Sequence, residues 1–165
     1  MAPREETEPA LRDALRLLSM RARTRRELQQ ALQRKGHPGA AVTAALERVQ
    51  ALGYLDDARY ARARAESLLR DGKLGPQGVG QHLRARGIPD EVVRSALEGA
   101  ERALDFDACA TARALLERRG LLPPGRSLTD RERGKAARTL LSRGFSAAVV
   151  ERLLGAALDS PPEGD

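Results

Sequence analysis

An all-α protein built from tandem three-helix repeats is the fold class the sequence predicts, on three observations. Ala, Leu, Arg, Glu and Gln dominate a chain with 2% aromatic residues, and almost no stretch shows β-branched or aromatic alternation, a composition that favours helix. Gly36, Gly87 and Gly144 recur 51 and 57 residues apart with matched surroundings, the mark of an internal repeat. Charge recurs on the same period.

The register runs on both sides of each glycine. Leu32, Leu83 and Leu140 stand four residues before, and Leu28, Val79 and Ala136 one helical turn earlier. Lys35, Arg86 and Arg143 immediately precede the glycines; Val42, Val93 and Val150 follow at six residues and Leu46, Leu97 and Leu154 at ten. A helix ending in a glycine that can turn left-handed, followed by a second helix, explains the pattern.

Taken in order, a polar, flexible N-terminus (1–9) precedes a helix from Leu11 to Ser19. Thr24 with Glu27 reads as a capping box for the second helix, which Gly36 ends. Pro38 sits near the first turn of the third, where Val42, Ala45, Leu46, Val49 and Leu52 recur at helical spacing. These make unit one, 10–53. Unit two, 54–104, opens with a helix over Ala58 to Arg70 behind Asp56-Asp57; Gly75-Pro76 starts its second helix and Pro89 its third. Unit three, 105–158, opens with Phe106 to Arg119 behind Asp105 and Asp107. Its Leu121 to Leu128 segment, with Pro123-Pro124-Gly125, reads as a loop. Thr129 with Glu132 caps the next helix and Ser146 the last, before a flexible tail, 159–165. Each unit is small, so neighbours are expected to share core.

The single cysteine, Cys109, rules out an intrachain disulfide and metal-type cysteine spacing. The polar start is no signal peptide, and no run approaches the roughly 20 apolar residues of a membrane span. A cytosolic, cytoplasmic protein is expected.

The net charge of +6 is not evenly spread. Residues 12–35 hold eight bases and two acids, 59–86 seven and two, and 113–143 nine and three. Residues 90–107 hold two bases and six acids, and 36–58 one and three. Basic faces on the first two helices of each unit suit nucleic acid or an acidic protein surface. The third helices begin Gly39-Ala40-Ala41-Val42, Asp90-Glu91-Val92-Val93 and Ala147-Ala148-Val149-Val150, which supply no base-reading set for a major groove. Sequence-specific DNA reading is therefore not expected, while sequence-independent contact stays open. Four scattered aromatics do not line a groove for a single strand.

Catalysis finds no constellation. His37 and His82 lie far apart. Asp56-Asp57 reads as an N-cap with favourable charge at a helix dipole rather than an acid–base or metal pair. Gly75, Gly78 and Gly80 form no phosphate loop. Cys109 reads as a small core residue, and Tyr54 and Tyr60 as core or inter-repeat anchors with partner contact as the alternative. No cofactor and no metal site are expected.

Several runs resemble the RecX family. Leu52-Gly53-Tyr54-Leu55-Asp56-Asp57-Ala58-Arg59-Tyr60-Ala61 looks like the family signature between its first and second units. Gly75 to Ile88, with Leu83 and Arg86-Gly87-Ile88, is similar to the second-unit segment. Leu141-Ser142-Arg143-Gly144-Phe145-Ser146 is similar to the third-unit hallmark, with Ser142 where the family usually has a base. Arg23 to Leu28 also fits, so the resemblance spans about 10–158. It implies a non-enzymatic protein that binds the RecA recombinase and its filament on single-stranded DNA; a monomer is expected. It further implies a modulator, mainly an inhibitor, of assembly, ATP hydrolysis and strand exchange in recombination, DNA repair and the SOS response. The alternatives are a sequence-independent nucleic-acid binder acting without RecA, and a helical scaffold for another acidic protein. Candidate RecA or DNA contacts are Arg21, Arg23, Arg25, Arg26, Arg59, Arg62, Arg70, Arg118, Arg119, Arg131, Lys135, Arg138 and Arg143. Arg131, Lys135 and Arg138 share a helix face; so do Arg59, Arg62 and Arg70, where Glu66 can pair with Arg62.

Overall fold

A computed structural model describes residues 3–155, with side chains from Thr7 onward. Among them are nine helices and no strand: α1 (Pro3–Met20), α2 (Arg25–Arg34), α3 (Gly39–Ala51), α4 (Asp57–Asp71), α5 (Pro76–Ala85), α6 (Asp90–Leu104), α7 (Ala108–Arg118), α8 (Asp130–Ser142) and α9 (Ala147–Leu154). The expected flexible tail, 159–165, lies outside the described residues. The first helix starts earlier than expected: α1 begins at Pro3, well before Leu11, and carries Pro9 inside it. Its polar first turns show no apolar periodicity, the signal from which a start is read.

Local chemistry sets the helix ends. Thr24 and Thr129 both form capping boxes, each accepting the N–H three residues on while Glu27 and Glu132 reach back to the cap N–H. Ser146 caps α9 and Asp107 caps α7. Pro38 is the N-cap of α3. Asp105 adopts φ 46°, so α7 starts at Ala108 rather than Phe106. Gly36, Gly87 and Gly144 have φ of +86°, +83° and +80°.

The chain divides into two compact units, one running to Ala63 with Leu83–Ala96, the other Arg64–His82 with Leu97 onward. In the first, Ala10 and Ala14 of α1, Leu28 and Leu32 of α2, and Ala41, Val42, Ala45, Leu46 and Val49 of α3 form the core with Leu55. Alanines on both α1 and α3 let the two helices approach closely without aromatic bulk. In the second, Ala112, Leu115 and Leu116 of α7 pack with Ala136 and Leu140 of α8, Phe145, and Leu154 of α9. The irregular segment after α7 is anchored on this core by Leu121, Leu122 and Leu128. Leu32, Leu83 and Leu140 are each fully buried.

Candidate interaction surface

The start of α2 is pinned from two directions. Thr24, the only buried polar residue among the described ones, accepts the Glu27 N–H at 3.2 Å and donates its hydroxyl to the Arg86 carbonyl at 2.8 Å. Glu27 answers by accepting from the Arg86 guanidinium at 2.8 Å, and that guanidinium also donates to the Tyr60 hydroxyl at 3.2 Å. Asp57 accepts the Arg25 N–H at 2.8 Å. Burial pushes its carboxyl above the usual range, with the Arg25 N–H opposing. Asp56 does the capping of α4, accepting the Arg59 N–H at 2.9 Å. The aspartate pair is thus two caps for two helices, and Asp57's long-range partner had no sequence signal.

A joint of the same kind lies within the other unit. The Gly75 and Gln77 N–H groups, at the start of α5, donate to the Arg143 and Gly144 carbonyls at 2.8 and 3.1 Å. A Cβ on Gly75 would stand 2.5 Å from the Gly144 carbonyl oxygen, and one on Gly78 2.5 Å from that of Arg143. In both joints the N–H end of one helix meets the carbonyl end of another, which satisfies orphan backbone groups and aligns opposite dipole ends.

Several candidate bases prove to hold the fold. Arg118 donates to the Gly72 carbonyl at 3.0 Å, Arg23 to Leu17 at 3.3 Å and Arg59 to Gly53 at 2.9 Å. Arg25 donates to Gln50 at 2.7 Å, and Arg21 pairs with Glu27 at 3.4 Å. Arg26 lies against Gly87. Arg143 is half-buried. Glu66 pairs with Arg70 at 4.0 Å, not with Arg62. Among the described residues Arg62, Arg119, Arg131, Lys135 and Arg138 are exposed and paired with no carboxylate. Arg131, Lys135 and Arg138 keep the single face of α8 expected of them, with Ala136 and Leu140 buried opposite. Leu141, next to buried Leu140, is 51% exposed.

Three further arrangements fall outside the sequence expectations. Asp13 bridges His37 at 2.8 Å and Lys35 at 3.2 Å, tying α1 to the end of α2, and these partners hold its carboxyl below the usual range. Arg126, from the segment before α8, grips Glu132; with the Thr129 N–H and hydroxyl, it lowers that carboxyl to about 2. Tyr54, read from the sequence as a core or inter-repeat anchor with partner contact as the alternative, is 59% exposed and shares a cavity with Tyr60, Arg23 and Arg59. No group of three or more His, Cys, Asp or Glu that could hold a metal occurs among the described residues. None of the described helices is long and apolar enough to cross a membrane.

Helices that carry exposed arginine and lysine define an all-α protein with basic faces. Residues 10–48 match the first three-helix domain of RecX, and residues 56–97 match the second. The chain is 42% identical to the regulatory protein RecX of Halorhodospira halophila over 93% of its own length and 91% of that protein's. It is 35% identical to that of Syntrophotalea carbinolica over 91% and 95%. The chain belongs to the RecX family, which is regulatory and non-enzymatic. Its fold is similar to the crystal structure of RecX from Lactobacillus salivarius, with a TM-score of 0.72 and 19% identity over 92% of this chain and 96% of that one. A second crystal structure, of a regulatory protein RecX, gives a TM-score of 0.73 with 23% identity over 93% of this chain and 73% of that one.

Proposed function

We propose that this chain is a cytoplasmic regulator that binds RecA and its filament on DNA and restrains filament assembly, ATP hydrolysis and strand exchange. Family membership across nearly the whole chain is the observation that carries the reading. In this reading residues 105–158 act as a third three-helix unit beside the two matched domains, and the protein works as a monomer. The exposed bases Arg62, Arg119, Arg131, Lys135 and Arg138 contact the filament, with charge supplying attraction to phosphate or acidic side chains. Arg118, held on the Gly72 carbonyl, positions these faces instead. A second reading, sequence-independent nucleic-acid binding without RecA, is favoured by the exposed cations on α8. RecA ATPase on single-stranded DNA separates the two. Substoichiometric protein should lower turnover while hydrolysing nothing itself. Unchanged turnover at equimolar protein, with DNA binding intact, supports the second reading.

A further inference from the structure

Tyr54 is held out from the body of its unit by a fixed turn. Gly53 has φ +77°, and the Tyr54 and Leu55 N–H groups both donate to the Val49 carbonyl, at 3.0 and 3.2 Å. Arg59 closes the turn through its bond to the Gly53 carbonyl. The cavity this creates, about 280 Å³, is walled by Tyr54, Tyr60, Arg23, Arg59, Asp56 and small alanines. That size is just below the usual range for ligand sites and suits one planar fragment.

The lining narrows the occupant. Neither Arg23 nor Arg59 pairs with a carboxylate among the described residues. Burial and the nearby Arg21 make the Arg23 cation harder to sustain, so an arriving anion would relieve it. Asp56 on the wall disfavours a purely anionic ligand such as an acidic side chain, and it offers an acceptor to an amino group. An aromatic face beside guanidinium, with an acceptor in the same lining, is the combination that takes an unpaired base with its phosphate. A paired base keeps its faces within the stack, so duplex does not fit.

We infer that this cavity binds one nucleotide of single-stranded DNA, its base stacked on the Tyr54 ring and its phosphate on Arg23 and Arg59. The inference needs no recombinase. Its failure leaves the RecA reading standing, and the reverse holds too.

The chain has two tyrosines and no tryptophan, and both tyrosines line the cavity. Tyrosine emission therefore reports on this site alone. A labelled oligodeoxycytidine of about 12 nucleotides, within the span a small binding face covers, is followed by anisotropy. The same unlabelled oligonucleotide is titrated against the full chain in emission. Binding should quench the emission, and Tyr60→Phe should keep the quench because Tyr54 still reports. Tyr54→Phe should bind as tightly as the wild type, since the ring is retained. Tyr54→Leu should bind about tenfold more weakly, within the range measured for loss of one stacking aromatic. Helical circular dichroism should be unchanged in all three. Absence of binding, binding that leaves the emission unchanged, or wild-type affinity of Tyr54→Leu each overturns the inference. A response to RecA alone, with none to the oligonucleotide, makes the cavity a protein contact and overturns it equally.

Discussion

A methyl group on Gly87 would meet two obstacles, whereas one on Gly36 would meet only the first. Both residues have positive φ, a conformation that costs an L side chain about 1 kcal/mol. Around Gly36 nothing lies within 4 Å of a built Cβ, but at Gly87 the Arg26 Cβ would be 2.7 Å away. That atom is the root of a side chain on the first turn of α2, so rotating the guanidinium away does not relieve the clash. Gly36→Ala should therefore lose about 1 kcal/mol, and Gly87→Ala clearly more, with Gly87→Val worse still. Urea unfolding of the variants checks this. Equal losses for the two alanine variants would mean that the contact between Arg26 and Gly87 yields without cost.

At the scale of the element, the two capping boxes are chemically alike but differently placed. Thr24 is buried and its hydroxyl also serves the Arg86 carbonyl, 62 residues away in sequence. Thr129 is exposed and bonds only within its own turn and Glu132. Thr129→Val should cost about 1 kcal/mol, the usual value of a lost cap. Thr24→Val should cost about 1–3 kcal/mol beyond that, because the part-buried Arg86 carbonyl loses its donor. Equal midpoints in thermal unfolding of the two variants would show that the bond to Arg86 contributes nothing. The boxes themselves were legible in the sequence, since a threonine and a glutamate three apart act within one turn. Their unequal weight was not, because it depends on which carbonyl arrives from elsewhere in the chain. The same limit explains Arg118 and Arg59: a base on a helix looks like a free cation until the carbonyl it reaches is placed. The exposure of Tyr54 was not legible for a related reason, since a turn residue carries no periodicity from which its burial can be read.

For the whole molecule, the question is what the exposed face of α8 meets. Arg131, Lys135 and Arg138 are exposed, and Ala136 and Leu140 carry the packing on the other side. Changing an exposed residue typically moves stability by less than about 0.5 kcal/mol. Replacing all three by Glu should therefore leave helix content and unfolding midpoint nearly unchanged while weakening association with a RecA–DNA filament. The salt dependence tells which component of the filament is touched. Each lost contact to phosphate on single-stranded DNA lowers the slope of log affinity against log salt by about 0.7, and binding to bare single strands falls in parallel. Contact with acidic side chains of RecA instead leaves binding to bare DNA almost unaffected while filament binding drops. Affinities of the wild type and the triple variant for both targets across a salt series separate these outcomes. Wild-type affinity for both targets in the folded variant would reduce the α8 stripe to a solvated face.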